Sequence, residues 1–492
     1  MKNIPDVKIG IVAVSRDCFP IELSRSRLAK VEEAVRSLEL PAKACQTVIE
    51  SEKDMLNALN ELGEMGANAL VVYLGNFGPE IPDTMLAQKF GGPVMYVAAA
   101  EESMHTMMDG RGDAFCGLLN ASYSLKLRGI KAYLPEYPVG TPEEVAQMIE
   151  DFVPIARVQI GLKGLKVFSF GPRPYDFIAC NAPIQPLFDL GIEIQENSEL
   201  DLFASYNAHK GDKRIDDVVK DMQEELGDGN NMPGILPKLA QFEITLLDWM
   251  QDNLGACQYA VFANKCWPAF QTQFGFVPCY VNSRMAARGI PVSCEVDIYG
   301  AISEYMITLA TLDVPTLLDI NNTVPKDLYE EGIAGKFPYA HKETFMGFHC
   351  GNTAAKKLVE PKMSYQLIMK RSLEPDSEPD ITRGTLEGTI APGPITLFRF
   401  HSTADCKLVS YVAQGETLPV DPHSFGAIGV IGVKEMGRFY RHVLVGKNYP
   451  HHAGMAFAHA GKTLFAVAKL LGAEVDFNQP AGVLYKDENP FG

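Results

Sequence analysis

Apolar runs in the first third of the chain recur at a spacing that leaves few architectures open. VKIGIVAV, ending at Val14, ALVVYL (69–74), PVMYVAAA (93–100) and KAYL (131–134) are separated by stretches with helical spacing, the first of them through Leu28 to Leu38. Strands buried on both faces read as unbroken apolar runs, and strands alternating with helices build a parallel sheet wrapped by those helices. Thr141, Pro142 and Glu144 then open a helix through Phe152, since Thr caps, Pro suits the first helical position and Glu reaches back. A boundary near residue 165 follows.

A second series of the same style begins with LKVFSF (165–170) and continues through QYAVFA (258–263), a helix around Asn282 to Arg288, a helix after Asp297, and TLLDINN (316–322). Beyond about residue 345 the texture changes to short β-prone runs such as TIAPGPITLFRF and FGAIGVIGV, cut by Gly and Pro, as in an antiparallel barrel or sandwich. The segment HVLVGKNYPHHAGMAFAHAGKTLFAVAKLL reads as a strand, a loop carrying His451 and His452, and a helix from about Met455 to Leu471. The expected domains are 1–164, 165–345 and 346–492, all within an α/β class chain. Three domains also suit 492 residues at roughly 150 residues each.

The balance of 44 basic against 61 acidic residues, a net charge of −17, supplies no positive surface for phosphates, so neither nucleic acid nor an anionic membrane is an expected partner. The start MKNIPDVKIGIVAV is interrupted too soon by Ser15, Arg16 and Asp17 to be a secretory signal, and no apolar run approaches the roughly 20 residues of a membrane span. The expected location is the cytoplasm. Ten cysteines in apolar contexts without a C-x-x-C pair read as reduced core thiols.

The stretch CEVDIYGAISEYM (294–306) sets the chemical question. Glu295 and Asp297 precede an apolar helix that must be buried, and an unpaired buried carboxylate costs several kcal/mol. Asp297 can be accounted for as the cap of that helix, worth less than about 1 kcal/mol if capping is its only role. Glu295 needs another partner. Asp319 has the position of a functional residue at the carboxyl end of a parallel strand, or of an Asp opening a turn. Two carboxylates at strand ends and a loop histidine match a hard divalent cation held by oxygen and nitrogen. AHAGKT (458–463) imitates a phosphate-binding loop but has Ala456 where that pattern requires Gly.

The block VPCYVNSRMAARGIPVSCEVDIYGAISEYM (277–306), the PHHAG loop, and the separation of Asp319 from Glu295 (319 − 295 = 24 residues) together resemble the L-fucose isomerase and L-arabinose isomerase superfamily, nearer the fucose branch. The resemblance implies two flavodoxin-like α/β domains followed by a C-terminal β-barrel. It implies Mn²⁺, with Co²⁺ or Mg²⁺ as alternatives, held by Glu295, Asp319 and His452, the second residue of the His-His pair. It also implies a homohexamer whose active site borrows the N-terminal domain of a neighbour, with Arg16 in VAVSRDCF and Gln258 as substrate contacts. His349, Asn352 and His451 are further candidate sugar contacts.

The implied reaction is aldose to ketose isomerisation of an open-chain sugar, in which Glu295 and Asp319 relay a proton between carbons 2 and 1 across an enediol. The rival readings are a sugar-binding regulator or receptor, because tandem α/β domains also build such proteins, and a metal-dependent sugar epimerase.

Overall fold

A computed structural model of the chain describes residues 3–490, which fall into two compact units. The first, Pro5–Gly161, holds five parallel strands: β1 (Ile9–Val14), β2 (Ala42–Ala44), β3 (Ala69–Leu74), β4 (Val94–Ala99) and β5 (Val139–Gly140). Their order is β2-β1-β3-β4-β5, so the sheet reverses direction of growth between β1 and β3. Each residue of β1, β3 and β4 is buried, as continuous apolar runs require when helices cover both faces. KAYL contributes only an isolated bridge from Tyr133 to Met95, and the edge strand lies later, at β5. Thr141 and Glu144 form the expected capping box, Thr141 N–H donating to Glu144 Oε2 at 2.8 Å, but the helix runs on from Pro142 to Lys163.

The second unit comprises the described part of Leu162–Gly492 together with Asn3 and Ile4. It contains a four-stranded parallel sheet, ordered β7-β6-β8-β9, from β6 (Leu165–Phe170), β7 (Glu193–Asn197), β8 (Tyr259–Ala263) and β9 (Val292–Ser293). Asn3 is pinned here: its side chain donates to the carbonyls of Ala260 and Gly289.

The remaining strands are β10 (Thr316–Thr323), β11 (Thr344–His349), β12 (Leu358–Tyr365), β13 (Arg383–Ile390), β14 (Gly393–Ser402), β15 (Leu408–Leu418), β16 (Ala427–Val433), β17 (His452–Ala456) and β18 (Glu474–Phe477). They form one mixed sheet, ordered β12-β13-β16-β11-β10-β17-β14-β15-β18. A further pairing of β15 with β16 makes β16, β11, β10, β17, β14 and β15 a closed cycle of paired strands.

Two local expectations are corrected here. TLLDINN is not the last strand of the parallel sheet; it is β10, antiparallel to both β11 and β17. An apolar run of this length is compatible with either sheet, and only its distant partners decide. His451 and His452 do not share an exposed loop at a helix start: His452 opens strand β17, and the helix begins at Gly461. The small residues of HAGMA suit either state, and pairing with β10 and β14 selects the strand.

The helix Ile298–Thr311 is buried along nearly its whole length and packs on β8 and β9 on one side and on β14 and β17 on the other. That helix joins the parallel sheet to the mixed one. Among the described residues no helix is long and apolar enough to cross a membrane. All ten cysteines are unpaired; five are buried, while Cys18, Cys116 and Cys406 are exposed.

Candidate active site

Register brings the site together. Asp319 of β10 lies directly opposite His452 of β17, a pairing that sets two Cβ atoms about 5 Å apart. Asp319 is also paired with Phe348 of β11, next to His349. Glu295 arrives from the short turn after β9. Its backbone is left-handed, with φ 53° and ψ 25°, and Val296 follows at φ 56°. Two successive non-glycine residues in that region, one β-branched, cost of order 1–3 kcal/mol each. The turn is held by Val296 N–H donating to the Asn264 carbonyl at the end of β8, 2.9 Å, and by Asp297 N–H donating to Cys294, 3.0 Å. Gly300 has no room for a side chain, since a Cβ there would stand 2.6 Å from Asp297 Oδ2.

Three ligand atoms from distant segments converge. His452 Nε2 stands 3.3 Å from Glu295 Oε2 and 3.5 Å from Asp319 Oδ1. Both oxygens are buried and neither receives an aligned hydrogen bond, so their contacts with Nε2 are ion pairs by distance alone. His349 Nε2 is 3.9 Å from Glu295 Oε2, and His451 Nε2 is 3.8 Å from Asp319 Oδ1. Asp319, His451 and His452 satisfy the spacing of a metal-holding group.

Asp297 has a larger role than helix capping, and this overturns the small effect expected of it. Its Oδ1 accepts the Gly300 N–H at 2.9 Å, as a cap does. The same carboxylate is fully buried, takes both terminal nitrogens of the fully buried Arg399 at 2.5 and 2.8 Å, and meets His452 Nδ1 at 2.8 Å. A carboxylate only accepts, so Nδ1 carries the proton and Nε2 is left to face Glu295 and Asp319. This carboxylate–imidazole pair is the arrangement that orients a metal-binding histidine. Local sequence carries one signal for it, the lone Arg399 within the apolar strand ITLFRFH.

Charge is arranged accordingly. Burial raises the Asp297 carboxyl, but the Arg399 charge and the His452 hydrogen bond outweigh it and hold the group far below the usual carboxylate range. Burial likewise opposes ionisation of Glu295, and the neighbouring histidines, His452 first, bring it below its ordinary value. Burial and the Asp297 charge push Glu304, in the adjoining helix, up to about 8, so at neutral pH it is mostly uncharged. Arg399 balances Asp297, leaving the carboxylates of Glu295 and Asp319, whose combined charge of about −2 complements a divalent cation. His452 answers part of that need: burial would lower it, but the hydrogen bond to Asp297 and the contacts with Cys180 and Glu295 raise it well above an ordinary histidine.

The site's wall comes from loops following β6 and β8, at the carboxyl ends of the parallel sheet. Phe177 packs edge-on against Trp267 and against His451, with ring centres 5.4 and 5.6 Å apart. Cys180, in the same loop as Phe177, approaches His452 Nδ1 at 3.7 Å. Neither Phe177, Trp267 nor Cys180 carried a sequence signal.

The other expected contacts divide. His349 is buried beside Glu295 with Nδ1 unpartnered, and Asn352, also buried, leaves Oδ1 unpartnered. Gln258 precedes β8 and is exposed at its amino end, about 20 Å of strand from the carboxyl end where Glu295 sits. The structure therefore does not bring Gln258 to the cluster. In the first unit, Arg16 follows β1 at the point where strand order reverses, the position at which such sheets bind ligands. Its N–H donates to Asn76 Oδ1 at 2.9 Å and its half-exposed guanidinium lies 5.1 Å from the centre of the Phe77 ring.

Residues 10–163 match the family described as fucose/sulfoquinovose isomerase, N-terminal domain, and residues 347–478 match the L-fucose isomerase, C-terminal domain. A sulfoquinovose isomerase of Alkalicoccus urumqiensis is 23% identical over 344 residues, 68% of this chain and 70% of that protein. One from Priestia megaterium is 22% identical over 339 residues with the same coverage, and one from a Clostridium species is 25% identical over 304, covering 58% of this chain and 63% of that protein. A solved ABC transporter periplasmic solute binding protein of Actinobacillus succinogenes with bound D-allose matches at 11% identity and a TM-score of 0.16, over 61% of this chain and 92% of that one, too low to bear on the fold. With both terminal regions matched and relatives aligned along two thirds of its length, the chain belongs to the L-fucose isomerase-like superfamily.

Proposed function

We propose that this chain is a metal-dependent aldose-ketose isomerase acting on an open-chain sugar through an enediol. The observation that carries this reading is the convergence of Glu295 Oε2, Asp319 Oδ1 and His452 Nε2, two of them buried atoms without an aligned hydrogen bond. Two carboxylates and one imidazole suit Mn²⁺, with Co²⁺ or Mg²⁺ as alternatives. When bound, such an ion supplies an electrophile for the negative charge that develops on the two sugar oxygens.

The protein's own groups do the rest. One carboxylate of the pair Glu295 and Asp319 takes the proton from carbon 2 and the pair returns one to carbon 1, while a proton passes from the oxygen on carbon 2 to that on carbon 1; carbon 2 is oxidised and carbon 1 reduced. Asp297 acts as a positioning residue, holding His452 with Nε2 toward the two carboxylates. His349, His451 and Asn352 are placed to hydrogen-bond sugar hydroxyls, and Phe177 with Trp267 offers an apolar wall. Ten unpaired cysteines suit a reducing compartment, the cytoplasm.

The substrate is an aldose of the fucose or sulfoquinovose type, from the family membership and the relatives' activities. A screen of L-fucose, D-arabinose and sulfoquinovose offers a terminal methyl, hydroxyl and sulfonate in turn. Ketose formation is expected from one of them with Mn²⁺, none after chelation, and recovery when Mn²⁺ is restored. Full activity in metal-free protein, a C2 epimer, or unchanged sugar throughout would each overturn the reading.

Assembly as a homohexamer belongs to the same proposal, with Arg16 of a second copy reaching the substrate. The helix Ala114–Leu127 supports self-association: Phe115, Leu119, Tyr123 and Leu127, each four residues on from the last, are 58%, 62%, 66% and 71% exposed. Repetition at that interval lines one helix face. Sedimentation should show an oligomer, and Leu119→Asp with Tyr123→Asp should lower its mass. A monomeric, active wild type would contradict the shared site.

A further inference from the structure

Glu295 also belongs to a second donor group of different chemistry. Cys294, Glu295 and His349 each offer one ligand atom, all three residues are buried, and the atoms lie within 4.8 Å of one another. Two donors bound to the same tetrahedral zinc are about 3.6 Å apart, from Zn–S and Zn–N distances of about 2.3 and 2.1 Å, so closing on an ion needs side-chain shifts of up to about 1 Å. The group is poorly satisfied without one. Glu295 Oε2 has no aligned hydrogen-bond partner, and the Cys294 sulfur receives a long contact from Asn282 Nδ2, 3.9 Å. Its surroundings are rich in sulfur: Gln366 Nε2 bridges Cys266 at 3.4 Å and Cys279 at 3.8 Å, and Cys350 follows His349 directly.

We infer that Cys294, Glu295 and His349 form a second cation site, selective for a borderline-soft divalent ion such as Zn²⁺ or Co²⁺. Thiolate, imidazole and carboxylate with a position left open is a zinc-type donor set, whereas Glu295, Asp319 and His452 offer no sulfur. Binding breaks the Cys294 S–H bond, forms a metal–sulfur bond and releases the proton to solvent. The two sets compete, because the oxygen of Glu295 that faces His452 Nε2 at 3.3 Å is the one that faces His349 Nε2 at 3.9 Å. An ion in the second set takes that oxygen from the first.

Titration of the full-length, reduced protein with Co²⁺ tests this by absorption. A thiolate-to-cobalt charge-transfer band is expected in the near ultraviolet, saturating at one ion per chain. It should vanish in Cys294→Ser, persist in Cys180→Ser, and need at least about 100-fold more Co²⁺ in His349→Ala, beyond the range typical of a group that only hydrogen-bonds to a ligand. Folding of each variant is checked by circular dichroism, and the wild-type band stands as a test by itself. No band in the wild type, a band surviving Cys294→Ser, or one lost in folded Cys180→Ser would overturn the inference. His452→Ala, which dismantles the first set, is expected to keep the band, so the outcome separates from that of the isomerase reading. Mn²⁺ bound beforehand, counted by electron paramagnetic resonance, should move the cobalt midpoint upward at least tenfold; an unmoved midpoint contradicts the competition.

Discussion

Glu295→Gln is expected to lower turnover by at least about 10²–10⁴, the contribution of one positioned acid-base group. The substitution keeps the size and one ligating oxygen but removes basicity and a negative charge. It acts where Oε2 meets His452 Nε2 at 3.3 Å, so no rearrangement of the strands is needed to feel it. Asp319→Asn should do likewise, since Oδ1 is the other unpartnered oxygen facing that nitrogen. The double variant should be little worse than either single one, because residues serving one proton transfer act as a unit. Steady-state rates of the three variants check this, and independent, multiplying losses would break the pairing of the two carboxylates.

Arg399→Met is expected to cost about 3–5 kcal/mol of folding stability, the scale for removing one partner of a buried ion pair. Arg399 and Asp297 are both fully buried, and without the guanidinium the carboxylate keeps only His452 and the Gly300 N–H. Asp297→Asn should be similarly unstable and should also release metal, by about 10–100-fold in affinity, because His452 loses the charged acceptor that fixes its proton on Nδ1 and Asn offers one neutral oxygen in place of two. Combining Asp297→Asn with Arg399→Met removes both charges and should recover part of the stability while leaving metal affinity low. The pH dependence has a definite sign. Asp297 is held below its unfolded value of about 3.9, so the stability it adds is fully present above that pH and lost only as pH falls through its depressed folded value. Urea midpoints of the variants across pH measure both effects; a wild-type midpoint for Arg399→Met would show the pair to be dispensable.

The parallel sheets were legible because their strands are buried on both faces, which writes continuous apolar runs such as ALVVYL into the chain. Glu295 was legible for the opposite reason, as a charge placed where burial is unavoidable. The neighbours that answer it were less so. Whether TLLDINN pairs parallel or antiparallel depends on partners outside its own segment, β11 and, more than 100 residues away in sequence, β17, which is short and built of small residues that a helix tolerates equally. Asp297 shows the limit best: its local role as a cap is real, but its partner Arg399 lies 102 residues on, and no local pattern joins the two. The aromatic wall of Phe177 and Trp267 depends on two loops meeting beyond the sheet, which periodicity does not describe.

Proton transfer between carbons 2 and 1 is the centre of this account, and isomerisation in deuterated water tests it most directly. With the Mn²⁺-loaded protein and whichever aldose it converts, nuclear magnetic resonance of the product should show a ketose carrying solvent deuterium at carbon 1, and Glu295→Gln should form it at least about 100-fold more slowly. Recovery of the aldose unchanged, or of its C2 epimer labelled at carbon 2 with no ketose, would contradict the isomerase assignment and the role given to Glu295 and Asp319.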